Sequence, residues 1–388
     1  MQKVHLKRTK RLLAGHLWVF SNELYESPRN YPPGALVELY DMRETFVGIG
    51  YINPGSLIAV RLLTRERRPV NKEFMRDRIR EALALRERLL PGCSGLRLIY
   101  SEGDYLPGLI VDRYGDCLVL QLLTSGMEAL RETIIELLDQ MIAPGVIVLR
   151  NDSRWRALEG LPLHREIVKG DLKILPLIKE DGLLFQVDPY EGQKTGFFLD
   201  QRENRQAIGE MIRGGRGLDL FCYTGAWSVR IAAAGADVTA VDASERAIDH
   251  GRRNAELNGL LERVNFIKED IFSFLHGELD KSERAYDFIV CDPPAFVKSA
   301  EKLREGVRAY GELNESCMKL LKRGGILATS SCSYHLDKEM FLDTLRVAAR
   351  RSGRRLRLIA LRSQGRDHPV LLSMPETEYL KCAFLIVD

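Results

Sequence analysis

Long apolar runs are missing from this 388-residue sequence, although 45% of its residues are hydrophobic. None approaches the ~18 residues that a membrane-spanning helix needs. The nearest is Leu12-Leu13-Ala14-Gly15-His16-Leu17-Trp18-Val19-Phe20, behind a basic stretch from Lys3 to Arg11. His16 interrupts it and no small-residue cleavage pattern follows in Ser21-Asn22-Glu23, so the segment reads as folded domain rather than as a secretory leader. Cys-x-x-Cys pairs are also missing: the seven cysteines stand at 93, 117, 222, 291, 317, 332 and 382. An odd count without ligand spacing argues against a disulfide framework and against a structural metal. Reduced thiols in a cytoplasmic protein are expected instead, one of them available as a nucleophile. No internal repeat or low-complexity segment is present.

What is present divides by charge. Residues 1–90 hold 17 Lys and Arg against 10 Asp and Glu, a net +7, so the other 298 residues carry −4 of the overall +3. A basic first segment beside a mildly acidic remainder suits a nucleic-acid-docking module joined to an enzyme, and equally an unevenly charged solvated surface. Within residues 1–70, short apolar runs such as 35–40 and 57–63 alternate with Tyr31-Pro32-Pro33-Gly34, Gly48-Ile49-Gly50 and Asn53-Pro54-Gly55. Taking these clusters as turns predicts a small β-barrel-like module. Residues 72–90 have helical periodicity. Strands are expected at 96–100, 109–112, 117–123 and 146–149, with a helix over 128–141, giving a central α+β region over 71–180.

From about 215 the pattern becomes regular. Strands are expected at 217–222, 237–241, 264–267, 286–291, 326–330, 356–361 and 379–387. Helices are expected at 226–234, 244–258, 303–321 and 338–350. Strand and helix in turn imply a mostly parallel, doubly wound α/β sheet over 181–388. Ligands of such sheets lie at the carboxyl ends of the strands. There stand Asp219-Leu220-Phe221-Cys222-Tyr223-Thr224-Gly225, then Asp242-Ala243, then Asp270-Ile271. Asp242 lies at about the spacing, ~20 residues, at which a carboxylate meets a ribose hydroxyl pair. Yet only Gly225 falls in the first turn. There is no Gly-x-Gly-x-x-Gly for a pyrophosphate, and no Gly-x-x-x-x-Gly-Lys-Ser/Thr loop for ATP. A ribose carboxylate without a phosphate cradle suits S-adenosylmethionine. Asp219 and the Gly225 backbone would hold its amino-acid end, and Asp270 its adenine amino group. Alternatively, these aspartates are ordinary strand-end helix caps.

After the next strand, Asp292-Pro293-Pro294-Ala295-Phe296 forms a turn stiffened by two prolines. It is suited to hold Asp292 against a flat base, with Phe296 stacking on it. Ala295 stands where methyltransferases of base amino groups carry an aromatic residue. Cys332, in Ser330-Ser331-Cys332-Ser333, follows the fifth strand and faces the same crevice. A thiolate adding to C6 of cytosine would turn C5 into an enamine carbon able to take a methyl group, with Asp292 hydrogen-bonded at N3. The plainer alternative is a packing cysteine, which is the reading for Cys222 and Cys291.

These residues resemble the bacterial 23S ribosomal RNA cytosine-C5 methyltransferases of the large-subunit, PUA-domain-containing type. The resemblance runs nearly the whole length. It is carried by Gly15 to Glu23, by Gly192-Gln193-Lys194-Thr195-Gly196-Phe197-Phe198-Leu199-Asp200-Gln201-Arg202-Glu203-Asn204-Arg205, and by Leu218 to Trp227, Asp292 to Phe296 and Ser330 to Ser333. It implies a small β-rich PUA domain over 1–70, a central α+β domain and a Rossmann-like class I methyltransferase domain. It implies Cys332 as nucleophile with Asp292 beside it. It also implies a cofactor site of Asp219, Phe221, Tyr223, Thr224, Gly225, Asp242, Ala243, Asp270, Ile271 and Asp292. RNA is expected at Lys194, Arg202, Pro293, Pro294 and Phe296. The implied partner is 23S ribosomal RNA before full subunit assembly; a membrane is not implied and a homodimer is left open. Two departures stand out. Ala295 replaces the second cysteine that other RNA cytosine-C5 methyltransferases carry, so the base that takes the C5 proton is unassigned, His335 being near only in sequence. Residues 151–156 match the family's basic segment loosely. The competing functions are methylation of a guanine or adenine nitrogen, RNA binding with a vestigial cofactor domain and, more distantly, nicotinamide-dependent oxidation.

Overall fold

A computed structural model describes residues 1–281, 284–297 and 299–388. It divides into two compact units. The first comprises residues 1–178, 187–199 and 366–377; the second comprises 179–186, 200–365 and 378–388.

The first unit opens with a five-stranded sheet. Its strands are β1 (Gln2–Leu6), β2 (Trp18–Val19), β3 (Ala35–Asp41), β4 (Phe46–Ile52) and β5 (Val60–Thr64), in the order β1-β3-β4-β5-β2. Gly48-Ile49-Gly50 is therefore the middle of a strand, not a turn. The two glycines are there because the neighbouring strand passes too close for a side chain. A Cβ at Gly48 would lie 2.5 Å from the Thr64 carbonyl oxygen, and one at Gly50 would lie 2.4 Å from that of Arg61. The run expected over 57–63 begins its pairing only at Val60, leaving Leu57 exposed in the preceding loop.

A second sheet of the same unit is built from β6 (Gly95–Tyr100), β7 (Leu109–Tyr114), β8 (Cys117–Leu122), β9 (Val146–Asn151) and β10 (His164–Lys169), in the order β10-β9-β8-β7-β6. Helix α1 (Lys72–Leu89) starts at Asn71, whose side chain accepts from the Phe74 amide. It buries Phe74, Met75, Ile79 and Ala82 in a core shared with this sheet and with Ile49, Tyr51 and Leu63 of the first. The Tyr51 hydroxyl closes that seam, donating to Pro107 O at 2.6 Å and lying 2.9 Å from Thr124 Oγ1.

A short hairpin, β11 (Leu177–Glu180) and β12 (Leu183–Gln186), belongs to the second unit from residue 179 onward and precedes helix α2 (Arg202–Met211). A seven-stranded sheet follows. It comprises β13 (Arg216–Leu220), β14 (Asp237–Asp242), β15 (Val264–Lys268), β16 (Tyr286–Cys291), β17 (Leu321–Ser331), β18 (Leu356–Arg362) and β19 (Lys381–Val387). Their order is β15-β14-β13-β16-β17-β19-β18, with the first five parallel and β19 antiparallel to both neighbours. The order reverses direction at β13, and β16 lies on its other side, which makes the carboxyl ends of β13, β14 and β16 the switch-point crevice of an open α/β sheet. Helices α3 (Ala226–Ala233), α4 (Glu245–Leu257), α5 (Ile271–Asp280), α6 (Leu303–Leu320) and α7 (Lys338–Ser352) make the crossovers. The apolar strands β13 and β16 are buried on both faces, which is why they read as continuous hydrophobic runs rather than alternating ones.

Candidate active site

The turn leaving β13 is wound unusually. Phe221 (φ 62°), Tyr223 (φ 48°) and Gly225 (φ 74°) all lie in the left-handed region. Two non-glycine residues held there store strain, a condition that clusters at ligand-binding turns. Gly225 is needed for a second reason. It caps α3, and a Cβ on it would lie 3.1 Å from the Phe266 ring and 3.3 Å from the Gly251 backbone of α4. Sequence reading overlooked the residue that braces this turn. Asn254, fully buried on α4, donates from Nδ2 to Thr224 O at 2.9 Å, while its Oδ1 accepts from the Gln186 amide at 2.8 Å.

Asp219 lies within β13 rather than after it, fully buried. Its Oδ2 accepts from Ser228 Oγ at 2.5 Å, while Oδ1 is buried with no hydrogen-bond partner. Burial pushes this carboxyl up to about 7; the Ser228 bond opposes the shift, and the Asp292 and Asp242 charges add to it. The Thr224 hydroxyl is likewise buried and unpaired. Two orphaned polar groups beneath one strained turn fit a ligand with a cationic amino group that would satisfy them. Asp242 accepts from the Tyr223 amide through Oδ2 and from the Ser244 amide through Oδ1, both at 2.9 Å. Each oxygen keeps a second lone pair, enough for a pair of ribose hydroxyls. These residues thus fit the amino-acid end and the ribose of S-adenosylmethionine. Ala243 beside them is exposed. Asp270 is the N-cap of α5, with Oδ1 accepting from the Ser273 amide at 3.0 Å, so it performs the capping role at least. Ile271 sends its side chain into the apolar core.

The Asp292 carboxylate is held from two sides. Gln201 Nε2 donates to Oδ1 at 3.0 Å, and Trp227 Nε1 donates to Oδ2 at 3.1 Å. The same Gln201 amide donates to Ser330 Oγ at 3.1 Å, and its carbonyl accepts from Asn204 Nδ2 at 2.7 Å. The conspicuous 192–205 stretch therefore contributes a positioning side chain that its sequence did not single out. The proline turn is tied to the cysteine turn as well: the Val297 amide donates to Ser333 Oγ at 3.1 Å, and the Tyr310 hydroxyl lies 3.0 Å from that same oxygen. Pro293 is buried and Pro294 exposed.

Cys332 is half-buried, whereas the other cysteines of this unit, Cys222, Cys291, Cys317 and Cys382, are buried. Burial raises the Cys222 and Cys291 thiols well above the usual range and pushes Cys382 up to about 12, so those three stay protonated and inert.

Of the residues expected to meet RNA, Arg202 and Pro293 are buried and Phe296 is half-buried. The half-buried Phe296 packs beside three protein rings: Tyr310 at 4.8 Å between centroids, Phe221 at 6.3 Å and Phe272 at 6.4 Å. Arg202 is only 7% exposed, with Nε 3.9 Å from Glu180, because the buried Glu180 needs cationic neighbours. Arg205 is the main one, pairing with Glu180 at 2.7 Å. Lys194 in the first unit is exposed, its ammonium 4.3 Å over the Phe198 ring. His335 is exposed beside Tyr334.

The chain matches the S-adenosylmethionine-dependent methyltransferase family over residues 152–352 and the PUA-like domain family over residues 3–65. Fold, turn and family match together define an S-adenosylmethionine-dependent methyltransferase. It is 37% identical over 380 residues to the ribosomal RNA large subunit methyltransferase I of Shewanella amazonensis, covering 96% of each chain. It is also 37% identical over 381 residues, with the same coverage, to that of Aeromonas hydrophila. The chain belongs to the ribosomal RNA large subunit methyltransferase I family. Its fold extends over 100% of the SMU.776 methyltransferase chain solved with S-adenosylhomocysteine, with a TM-score of 0.87 at 21% identity. Among the described residues no helix is long and apolar enough to cross a membrane.

Proposed function

We propose that the protein methylates C5 of a cytosine in the 23S RNA of the large ribosomal subunit, through a covalent adduct on Cys332. The observation that carries this reading is the hydrogen-bonded tie between the Asp292 turn and the Cys332 turn through Val297 and Ser333, with the one half-buried cysteine of the unit on that second turn. Nitrogen methylation of a purine would have no use for a thiol there. The names of the relatives supply the RNA class, and the net +7 of residues 1–90 suits a phosphate-binding first module.

When bound, S-adenosylmethionine supplies a sulfonium methyl, which the activated C5 takes, leaving a neutral sulfide. The chain's own residues do the rest. The Cys332 thiolate bonds to C6, the C5=C6 pair shifts, and N3 takes up a proton with Asp292 hydrogen-bonded there. Gln201 and Trp227 hold both Asp292 oxygens, so the carboxylate is oriented before substrate arrives. After methylation a base removes the C5 proton, the C6–S pair returns to sulfur and N3 gives back its proton. Asp219, Phe221, Tyr223, Thr224, Gly225 and Asp242, with the Ala243, Asp270 and Ile271 backbone beyond them, form the cofactor pocket in this reading. Of the groups expected to meet RNA, Pro294 and Lys194 are the exposed ones left to face it in this reading.

Ribosomal RNA transcribed with 5-fluorocytidine tests the covalent scheme, because fluorine at C5 cannot leave as a proton and the adduct persists. A denaturation-resistant protein–RNA complex is expected with the wild type and its absence with Cys332→Ala. A complex that forms equally in the variant would remove Cys332 from the mechanism.

A further inference from the structure

Lys381 is an interior lysine that no carboxylate pairs with among the described residues. It opens β19, opposite Ser331 of β17, and is 4% exposed. Its Nζ donates to Ser333 O at 2.7 Å and to Tyr379 O at 2.9 Å, both neutral main-chain carbonyls. An ammonium buried on neutral partners is costly, and burial lowers this one to about 8. A methionine would fill the position without that cost. The carbonyl it grips belongs to the residue directly after Cys332, which sets the ammonium against the back of the cysteine turn.

Several charges act on Lys381 among the described residues. Those acting to keep Lys381 protonated are, in order, a Cys332 thiolate, Asp337 and Glu378, with Lys338 opposing. Asp337 is engaged as the N-cap of α7, accepting from the Met340 amide at 2.8 Å, and Lys338 pairs with Glu378 at 2.7 Å. Tyr310 also senses Cys332, and burial pushes its phenol up to about 12, so it brings no charge.

We propose that Lys381 is a positioning residue for Cys332: its ammonium, pinned behind the turn by two main-chain carbonyls, stabilises the thiolate form of the cysteine. The consequence for catalysis rests on the covalent reading above. The pairing itself does not, and it is measurable without RNA.

The test is the pH dependence of iodoacetamide alkylation at Cys332 in the full-length protein, read peptide by peptide by mass spectrometry, with half-buried Cys93 as internal reference. Two variants are compared. Lys381→Met removes charge and donors, whereas Lys381→Gln removes charge but keeps an N–H donor for the carbonyls. Losing a neighbouring cation raises a thiol midpoint by about one unit or more. Because a more basic thiolate is also a better nucleophile, the rate at pH 7 then falls only about three- to fourfold, while the alkaline plateau stays level or rises. That crossing of limbs is expected at Cys332 in both variants, with Cys93 unchanged. An unshifted Cys332 midpoint would overturn the proposal. So would a Lys381→Met profile lowered at every pH and restored by Lys381→Gln, because that is scaffold behaviour. Methylation surviving Cys332→Ala would refute the covalent reading and leave the titration result standing.

Discussion

Gln201 and Asp292 lie 91 residues apart in sequence and share a hydrogen bond of 3.0 Å, with the second N–H of the same amide on Ser330. The orientation of that amide is set from behind, by Asn204 donating to its carbonyl at 2.7 Å. One side chain thus ties α2's entry to the ends of both β16 and β17.

Gln201→Leu should slow turnover about 10- to 100-fold, since a hydrogen bond to a charged group contributes about 1.5–3 kcal/mol. Cofactor affinity should change by less than about threefold, because the hydrogen bonds of Gln201 among the described residues go to Asp292, Ser330 and Asn204 and none to the turn after β13. Single-turnover kinetics and calorimetric titration with S-adenosylmethionine separate the two effects. A loss confined to affinity would contradict the assignment.

Asp219 links stability to pH. Its folded-state carboxyl sits at about 7, above an unfolded value near 3.8. The folded state therefore holds the proton more tightly, and this contribution is fully present below about pH 4 and lost as pH rises through about 7. Urea denaturation of the ligand-free protein should show stability declining between pH 5 and 8 from this group, and Asp219→Asn should flatten that slope. An ammonium bound at Oδ1 would favour the ionised form. S-adenosylmethionine binding near pH 6.5 should then release protons, read as a buffer-dependent heat in calorimetry, and the Asn variant should release fewer.

Asp242→Ala should weaken S-adenosylmethionine binding by about 10- to 100-fold. It removes the acceptor for the Tyr223 and Ser244 amides together with the ribose contacts proposed for it, each charge-assisted bond contributing about 1.5–3 kcal/mol. Asp270→Ala should cost chiefly helix-cap stability, about 1 kcal/mol, with a smaller effect on affinity. Equal losses of affinity in the two variants would contradict this division.

The strand–helix alternation after residue 215 was legible because buried parallel strands and amphipathic helices leave different periodicities. So was the position of the turns after each strand, since the switch-point rule depends only on topology. Other features were not. Gly48 and Gly50 mimic turn residues, and only the neighbouring strand's proximity explains them. The packing of Phe296 beside Phe221, Phe272 and Tyr310 has no sequence signature either, since those rings come from distant positions. Asn254 and Lys381 carry no signal along the chain, and Gln201, although inside the 192–205 stretch, has nothing there to mark its own role. Each acts on a partner from 30 to 91 residues away, and single polar side chains at such separations have no periodicity to betray them.

The central claim is tested most directly by the identity of the methylated nucleoside. Wild-type protein and Cys332→Ala are incubated with labelled S-adenosylmethionine and large-subunit ribosomal RNA, and the nucleosides are then resolved by mass spectrometry. 5-Methylcytidine is expected from the wild type and none from the variant, with cofactor binding intact in both. Label on a purine nitrogen, or 5-methylcytidine at full yield from Cys332→Ala, would contradict it.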